Sequence, residues 1–587
     1  MSRVPVARLL LLVLPVACVA LFGRVYYTPD EPREASLVLA MAAEPAKALP
    51  LLAGQPFAEK PPLLYWLGAA ATAALGATPA AARLPNLAYA LVTVLALAFI
   101  GARAAGPAAG FAAGVVAATA LELYTIEAWL ATDAPLLAGV ALALAGLYAA
   151  LAAGTRRARF LGYGLFHAGL LVAFFAKGFA GWMVPVFAFL TVVVAERRWR
   201  ELVAPELWAG VPLLAVAIGA WVAAVAALPS GRELLKVLFW YNLVGRALPL
   251  AAPGEFAYAA GHQNSPGKYL LELPLYLLPW TPLAFAALRR VPRRWRERGG
   301  AATATRLALG AIVPATVLLS LAATARGVYY GPPLLGFALL IGLYAGSAGA
   351  ALDRTERLCW RLTGWLVALL AVLIALAAAL ADFAPRSADA SGALLGVLAL
   401  VAGGTAAGLA VRLPVPSAVA LPRLALAFAL VLSVALGALY RPLNEWQSLA
   451  SEAGRIRAAA GDRPLVVFDA DETTLALALL YVPASERAAL IAAGAPDGTA
   501  RAVAALAATR GTARVLWRVP EPRRWDAALW RAFLGYGGAL PPPAPPASLP
   551  AGLGAMHVEC LIERAGGRTY ALLAAADAAP VPGARCE

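Results

Sequence analysis

Apolar segments of about twenty residues recur along residues 1–440, the length that an α-helix needs to cross the hydrocarbon core of a bilayer. Each such segment, bounded by short polar loops, predicts a membrane-spanning helix. We therefore predict a polytopic α-helical membrane protein with about thirteen transmembrane helices. The predicted spans are residues 7–25, 84–104, 107–124, 133–153, 159–176, 178–195, 207–228, 269–288, 304–323, 328–348, 359–381, 392–411 and 421–440.

The loops between these segments alternate between arginine-rich and arginine-poor. Because cytoplasmic loops of membrane proteins carry an excess of Arg and Lys, we assign the arginine-rich loops to the cytoplasm. The N-terminus, which carries Arg3 and Arg8, is then cytoplasmic, and the tail after the last span lies outside. The arginine-rich loops contain Arg103, Arg156, Arg157, Arg159, Arg197, Arg198, Arg200, Arg289 to Arg298, Arg354, Arg357, Arg361, Arg412 and Arg423.

The apolar stretch 62–77 decides the parity of this topology. If it crossed the membrane, the charges around Asp30 would face the opposite side from Asp133. Its aromatic residues are the kind of amphipathic anchor that holds a helix in the interface. We therefore predict that this stretch lies along the membrane surface, which places residues 26–83 and the long loop 229–268 on the outer face.

Composition supports a membrane protein and explains the charge. The chain is 62% hydrophobic and has a mean hydropathy of +0.74, far above soluble proteins. Its formal net charge is +15. Arginine in the short loops that orient the spans accounts for this excess, so we predict no nucleic-acid partner.

Residues 441–587 follow the last predicted span and have the mixed pattern of a small soluble α/β domain. We therefore divide the chain into a membrane domain, 1–440, and an extracytoplasmic domain, 441–587. If this domain lies in an oxidising compartment, Cys560 and Cys586 would be able to pair. The predicted elements of the domain are strands at Leu465–Phe468 and Ala513–Arg518, helices at 474–481 and 522–534, and a hairpin of His557–Glu563 with Thr569–Leu573.

One segment of this domain, Asp469-Ala470-Asp471-Glu472-Thr473, follows an apolar strand. Its Asp-x-Asp-x-Thr spacing is that of the nucleophile motif of haloacid-dehalogenase-type phosphatases. The later parts of that motif set are missing, because the domain contains no Lys and no following Asp-Asp pair. We therefore interpret the segment as a strand followed by a helix that is capped by an acid.

The densest charges of the chain lie in residues 26–66, on the predicted outer face. Thr28 fits the N-cap of a helix and Glu31 fits the capping-box position, so Asp30 falls in the first turn. The helix dipole alone favours an acid there. Asp30 is therefore either a structural acid or the acid of a site at the membrane surface.

The predicted topology brings further charges to the same face. Glu59 and Lys60 stand on extended backbone before a proline pair, and Lys177 and Arg326 end predicted spans. Asp133 begins a span and is either a helix cap or a site acid. Cations at span ends either snorkel to the interface or bind an anion. Several of them on one face of so apolar a chain suit a lipid-linked phosphate, whose departure they would stabilise.

These residues resemble motifs of the GT-C class of polyprenyl-phosphate-dependent glycosyltransferases. The most similar branch comprises the aminoarabinose lipid A transferases, which are kin to the protein O-mannosyltransferases. The most specific motif is the run Phe57–Trp66, with the sequence FAEKPPLLYW. The resemblance covers residues 1–340 well and the remainder only in layout. The other matching motifs are Asp30-Glu31 with Arg33 and Glu34, Thr132–Pro135, Ala176–Gly178 and Leu277–Thr281.

The resemblance implies a GT-C fold with juxtamembrane helices in a bacterial inner membrane. It implies a sugar donor on undecaprenyl phosphate or a similar carrier, an acceptor that is lipid A, another envelope glycan or a protein, and transfer with inversion. Asp30 and Asp133 would be catalytic, and Glu59 with His262 would hold a divalent metal ion such as zinc, magnesium or manganese. The phosphate and the donor would be bound by Lys60, Lys177, Arg326, Tyr329 and Arg33.

Three other interpretations stay open at this point. His262 is equally a solvated loop histidine, since two ligands are fewer than metal sites usually have. A transporter or flippase of lipid-linked sugars is a rival from another class, but it would carry paired charges at the midplane of several spans and inverted repeats. A binding or assembly protein that acts through the soluble tail is a third.

Overall fold

The computed structural model describes residues 6–44, 47–248, 264–265, 267–347, 352–382, 390–412, 420–520, 546, 548–564, 568–576 and 578. The first helices are α1 (Val6–Phe22), α2 (Asp30–Ala43), α3 (Leu63–Leu75), α4 (Pro79–Ala105), α5 (Pro107–Thr119), α6 (Leu121–Ala128), α7 (Asp133–Leu151), α8 (Arg156–Lys177), α9 (Met183–Glu196), α10 (Pro205–Trp208), α11 (Val211–Ala226), α12 (Gly231–Lys236) and α13 (Gly245–Ala247). The later helices are α14 (Lys268–Tyr276), α15 (Thr281–Arg296), α16 (Gly300–Leu321), α17 (Gly331–Gly346), α18 (Arg354–Asp382), α19 (Ala390–Val411), α20 (Ala420–Gln447), α21 (Leu449–Ala460), α22 (Glu472–Tyr481) and α23 (Gly498–Ala508).

The strands form two sheets. A short hairpin precedes α3, and a five-stranded sheet lies in the C-terminal part of the chain. The strands are β1 (Leu51–Leu52), β2 (Gln55–Pro56), β3 (Leu465–Ala470), β4 (Arg487–Ala492), β5 (Arg514–Arg518), β6 (Met556–Arg564) and β7 (Arg568–Ala575).

The described part of the chain contains nine helices long and apolar enough to cross a membrane, or up to eleven if each of two bent pairs is one span. One of the nine, the 41-residue stretch Arg156–Glu196, contains both α8 and α9 and is about twice as long as one crossing needs. This stretch folds back on itself. Lys177, at the end of α8, contacts Asp133 at one end of α7. Arg198, just after α9, donates to the carbonyl of Leu151 at the other end of α7.

α8 and α9 are therefore separate crossings. The 17-residue α1 is apolar as well, although slightly shorter than the others. With these two additions, and with each bent pair taken as one span, the described helices account for the thirteen predicted spans. The protein is a multi-pass helical membrane protein.

α7 and α8 pack against each other through small residues. A Cβ on Gly146 would lie 2.3 Å from the amide nitrogen of Phe166, so no side chain fits there. The two backbones approach closely, which is how membrane helices gain packing energy when lipid offers no hydrophobic driving force. Because this helix pair ends at Asp133 and Lys177, its packing brings those two charges together.

The predicted span 269–288 is divided. The chain bends by 115° between α14 and α15, and by 62° between α5 and α6. The two bends bond to each other: the amide of Leu121 donates to the carbonyl of Leu278 at 2.9 Å. The indole nitrogen of the buried Trp280 donates to the hydroxyl of Thr119 at 3.0 Å. These bonds satisfy polar groups that a break in a membrane helix would otherwise leave unpaired.

The stretch 62–77 contains α3, whose 13 residues are too few to cross the membrane, since they rise only about 20 Å. The helix packs against α2, where the hydroxyl of Tyr65 donates to Glu34 at 2.8 Å. This length agrees with the predicted surface location. Asp30 and Asp133 accordingly lie at the same end of the bundle.

The five-stranded sheet has the order β4-β3-β5-β7-β6. β3 runs parallel to β4 and β5, whereas β7 runs antiparallel to β5 and β6. Alternate residues of β3 face opposite sides, as the period of a strand requires: Val467 packs towards α21 and α22, and Val466 packs towards α23. The resulting layers place the N-terminus of α22 against α2.

The predicted strands and hairpin of the C-terminal part are present. β4 and α23 were not predicted, and the predicted helix 522–534 lies outside the described residues. Residue 440, the predicted end of the membrane domain, falls inside α20, which continues to Gln447. Cys560 on β6 is disulfide-bonded. Cys586 lies outside the described residues, so its pairing with Cys560 stays a prediction.

Candidate active site

Asp30 is the first residue of α2 and carries a partly open carboxylate. It accepts a hydrogen bond from the guanidinium of Arg326, which enters from the segment before α17. Its other oxygen lies 3.8 Å from Nη2 of Arg33, one turn along the same helix. The side chain of Asp30 is 21% exposed, so this acid is held in place by two cations and still reachable from the site.

The predicted capping of α2 is wrong. Thr28 donates its hydroxyl to Gln447 at the end of α20 and makes no cap. Glu31 turns inwards instead and is completely buried. Its two oxygens accept hydrogen bonds from Arg83 at 3.0 and 2.7 Å and from the amide of Leu130 at 2.9 Å. Burial alone would raise the pKa of Glu31, but these contacts hold it below its usual value. Glu31 is a structural acid.

Glu59 and Lys60 lie immediately before α3 and meet two other charges, Arg33 and Arg246. Glu59 accepts hydrogen bonds from Lys60 at 2.5 Å and from Arg246 at 2.7 Å, and it lies 3.8 Å from Arg33. Burial would raise the pKa of Glu59, but the charges of Lys60, Arg33 and Arg246 outweigh it and hold the pKa well below its usual range. This carboxylate therefore stays ionised.

Burial lowers the pKa of Lys60 to about 8. The neighbouring charge of Glu59 opposes this shift, whereas Arg246 and Lys177 add to it. Lys60 is thus a cation that is charged at neutral pH but loses its proton under mildly alkaline conditions.

A cavity of about 410 Å³ opens beside these charges. Its polar end is formed by Lys60, Lys177 and Arg246, together with Glu59 and Tyr329. The remaining wall is mostly apolar and comes from the segment between α8 and α9, from α9, α16 and α17, and from the segment after α12; it includes Phe179, Val184, Leu238, Phe239, Leu318 and Pro332. The cavity thus pairs a long apolar wall with a cationic end.

Tyr329 connects the cations at that end. Its hydroxyl accepts a hydrogen bond from Arg246 at 2.5 Å, and its ring lies under the ammonium of Lys177 at 4.7 Å from the ring centre. Lys177 also bonds to Asp133 at 2.5 Å. Asp133 therefore orients a cation that faces the cavity.

The structure brings eight of the nine residues predicted for the site to one end of the bundle. Glu59, Lys60, Lys177 and Tyr329 line the cavity directly. The others are linked to them or to one another by ion pairs; they are Asp30, Arg33, Asp133 and Arg326. The ninth, His262, lies outside the described residues.

Sequence reasoning missed two charged residues at this end. The sequence places Arg246 only within the long loop 229–268, because nothing in its neighbourhood matches a motif. Glu472 was assigned to a capped helix of the soluble domain. Each of the two forms an ion pair with a residue of the matched motifs. Arg246 pairs with Glu59, and Glu472 pairs with Arg33.

Glu472 carries the contact between the soluble domain and α2. Its carboxylate lies 2.5 Å from Nη1 of Arg33, and the hydroxyl of Thr473 donates to the carbonyl of Pro29 at 3.3 Å. The neighbouring Asp471 caps α22, as predicted, by accepting from the amide of Thr474 at 2.8 Å. The segment with phosphatase-like spacing thus serves to begin a helix and to dock it on the membrane domain.

We predict that Glu472→Gln loosens this docking. Loss of a partly exposed ion pair is expected to cost about 1 kcal/mol, which corresponds to about fivefold faster hydrogen exchange at the amides of α22. Glu486→Gln is the matched control, because Glu486 pairs with Arg457 inside the soluble domain at similar exposure. Equal exchange in wild type and Glu472→Gln would show that this ion pair does not hold the domain.

The predicted metal ligands gain no support from geometry. Glu59 is surrounded by three cations, so a divalent ion on its carboxylate would have to displace Lys60 or Arg246. Within the part of the chain that the structure describes, no three His, Cys, Asp or Glu side chains are grouped so that they could hold a metal ion. The described residues therefore do not fit a metal site.

Known proteins and a family model match the part of the chain that carries several of these motifs. Residues 59–223 match the family described as dolichyl-phosphate-mannose-protein mannosyltransferase. The chain is 31% identical over 318 residues to the undecaprenyl phosphate-alpha-4-amino-4-deoxy-L-arabinose arabinosyl transferase of Pseudomonas aeruginosa, covering 54% of this chain and 55% of that protein. The transferase of the same name from Edwardsiella ictaluri is 27% identical over 340 residues, with 57% and 59% covered. The chain spans little more than half the length of these curated relatives.

Similarity of structure extends over nearly the whole chain. The crystal structure of ArnT from Cupriavidus metallidurans bound to undecaprenyl phosphate has a TM-score of 0.69 and covers 98% of this chain and 99% of that one, at 18% identity. The apo crystal structure of the same protein gives a TM-score of 0.67. These comparisons confirm the sequence-based resemblance to the GT-C superfamily and its aminoarabinose-transferase branch, and they confirm the fold.

Proposed function

We propose that this chain, which has the GT-C fold and resembles the aminoarabinose transferases, is an integral-membrane glycosyltransferase. It moves a sugar from an undecaprenyl-phosphate-like donor to lipid A or another envelope glycan, with inversion, at the outer face of a bacterial inner membrane. The observation that carries this proposal is the cavity that joins an apolar wall to three cations. A lipid-linked phosphate has the same two parts.

The cationic end is suited to the leaving phosphate. As the bond between the anomeric carbon and the phosphate oxygen breaks, negative charge grows on that oxygen. Lys60, Lys177 and Arg246 face the cavity at this end, and Tyr329 holds two of them in place. Fixed cations in a site shielded from water stabilise such charge far better than water does.

Asp30 is proposed to act on the acceptor. An acceptor hydroxyl attacks the anomeric carbon from the face opposite the phosphate, so one displacement inverts the configuration. Asp30 takes or orients the proton of that hydroxyl, while Arg326 and Arg33 fix its carboxylate. If the acceptor oxygen belongs to a phosphate that is already ionised, Asp30 only positions it. Asp133 is proposed to hold Lys177 against the leaving phosphate.

A divalent metal ion held by Glu59 and His262 stays a prediction. No step proposed here passes through it, because three cations already surround the Glu59 carboxylate.

The proposed orientation places the N-terminus in the cytoplasm and the soluble domain, 441–587, in the periplasm. The arginine-rich loops at the other end of the bundle support this orientation. We expect reporters fused at Arg157 and Arg294 to be cytoplasmic and one fused after Gln447 to be periplasmic. A cytoplasmic signal from the last fusion would reverse the membrane side of the whole site.

Donor use is expected to depend on the charge of Lys60. Because burial lowers its pKa to about 8, the fraction of charged Lys60 falls as pH rises through that value. We predict that kcat/KM for the donor falls above about pH 8, since this ratio reports ionisations of the free enzyme. Lys60→Arg keeps its charge and should show a flat profile between about pH 7 and 9. An alkaline fall of equal size in both proteins would assign the ionisation to another group.

The direct test is transfer by the purified chain in detergent. A synthetic undecaprenyl-phosphate sugar is mixed with lipid A, and both products are followed by mass spectrometry. We expect the acceptor to gain the mass of one sugar while free undecaprenyl phosphate appears in equal amount. Movement of the donor across vesicle membranes with neither product would favour a transporter instead. Mass spectra of envelope lipids from cells with and without the gene would identify the sugar and the acceptor.

A further inference from the structure

A second cavity, of about 830 Å³, lies at the end of the bundle opposite the candidate active site. α7 runs from the candidate active site to this cavity. The helix begins at Asp133 in the site and ends at Leu151 in the cavity wall, about 27 Å away. The wall is completed by the end of α9 and by the loop that leads into α16. Neither the proposed transfer reaction nor the donor cavity uses this space.

The charges in this wall are unbalanced. Four arginines line it, Arg197, Arg198, Arg298 and Arg306, against the single acid Glu196. The Glu196 carboxylate is already engaged by hydrogen bonds and ion pairs at 2.7 to 2.9 Å; its partners are Thr303, Arg198 and Arg306. The cavity therefore keeps an excess of positive charge.

Two of the guanidinium groups have donors left for a ligand, and a third is nearly buried. Arg197 and Arg298 make no ion pair or side-chain hydrogen bond with any residue that the structure describes. Arg306 is only 8% exposed, and its buried Nε has no partner among the described residues. The guanidinium groups of Arg197 and Arg298 are therefore open to an anion in the cavity, and Arg306 adds a nearly buried positive charge beside them.

The backbone at this wall also favours an anion. α16 is 22 residues long and begins at Gly300 in the cavity wall, so the positive end of its dipole and its unpaired amides lie there. The hydroxyl of Tyr148 lines the same wall, and a Cβ on Gly300 would lie 2.8 Å from it. Glycine at this position therefore keeps the helix end and the tyrosine hydroxyl close together.

We propose that this cavity binds a phosphate group, either the headgroup of an anionic phospholipid or free inorganic phosphate. Both sources offer a tetrahedral phosphate, singly charged in a phosphodiester headgroup and singly or doubly charged as the free anion, and either suits several guanidinium donors and a helix N-terminus. An arginine-rich loop that only orients the chain in the membrane needs neither a nearly buried arginine nor a cavity beside it. The site lies at the membrane surface where basic pockets between helices meet lipid headgroups.

The test compares two double variants of the full-length chain in uncharged detergent. The cavity variant is Arg197→Gln with Arg298→Gln, two exposed residues whose replacement removes no internal contact described here. The control is Arg157→Gln with Arg200→Gln, which removes the same charge from exposed arginines outside the cavity wall. The thermal unfolding midpoints of wild type and of both variants are measured against increasing concentrations of dioleoylphosphatidylglycerol, dioleoylphosphatidylcholine and inorganic phosphate.

We expect a saturable rise of the midpoint with phosphatidylglycerol or with phosphate, and none with phosphatidylcholine. The half-saturating concentration should increase at least about tenfold in the cavity variant and stay unchanged in the control. A response to phosphatidylglycerol alone identifies a lipid headgroup, and a response to phosphate identifies a site for the bare anion. The proposal is overturned if neither phosphatidylglycerol nor phosphate raises the midpoint of wild type. It is also overturned if the cavity variant responds as strongly as wild type or as the control variant.

Discussion

Asp30→Asn is expected to lower the turnover of sugar transfer by about two orders of magnitude or more, while the protein still folds and inserts. Asparagine is nearly the same size, and its amide oxygen still accepts the hydrogen bond from Arg326. What disappears is the negative charge that takes or orients the acceptor proton. The measurement is kcat with saturating donor in detergent, with the thermal midpoint determined on the same sample.

The control for this change is Glu44→Gln at the opposite end of α2. Glu44 also carries one negative charge and pairs with a lysine, Lys47, but it is 57% exposed and away from the cavity. We expect it to turn over like wild type. If Asp30→Asn also did so, the proposed role of Asp30 would be wrong, and the cluster around it would have to be explained by structure alone.

Glu31→Gln is expected to destabilise the protein by about 3–5 kcal/mol, although Glu31 is the neighbour of Asp30 in sequence. The substitution leaves the fully buried guanidinium of Arg83 without its counter-charge, and the amide of glutamine offers one acceptor where the carboxylate offers two. We expect a large fall in the thermal midpoint and in the yield of folded protein, with activity lost only in proportion to folding.

A double-mutant cycle separates this explanation from a general intolerance of the position. Arg83→Met combined with Glu31→Gln removes both members of the pair, so the double variant should lose less stability than the two single variants added together. If Glu31→Gln lowered the free energy of unfolding by less than about 1 kcal/mol, the buried network would tolerate the missing charge.

The different expectations for Asp30 and Glu31 come from their directions on the helix. Adjacent residues of an α-helix are about 100° apart, so one faces the site and the other faces the interior. The sequence places both in a first turn and offers no means to distinguish them. The distinction depends on Arg83 and Leu130, which reach Glu31 from α4 and from the segment before α7.

Much of the architecture follows from local sequence pattern. The apolar segments that predict the spans correspond to α1, α4, α5, α7 to α9, α11 and α15 to α20. Each crossing must be helical to satisfy its own backbone in lipid, and it needs an apolar run because its side chains lie in hydrocarbon. The alternation of arginine-rich loops and the shortness of 62–77 place Asp30, Lys60, Asp133, Lys177 and Arg326 at one end. The strand pattern of the C-terminal part likewise indicates β3, β5, β6 and β7.

Tertiary structure alone decides which charges are partners. Arg246 joins Glu59 across 187 residues, and Glu472 joins Arg33 across 439, and no local pattern encodes such distances. The break at 277–280 is likewise invisible in hydropathy, since residues 269–288 form one apolar run across it, and the bend is stabilised by contacts with α5 and α6. Hydrophobic periodicity specifies which residues leave water, whereas ion pairs and cavities depend on which helices meet, and that depends on packing between elements far apart in the chain.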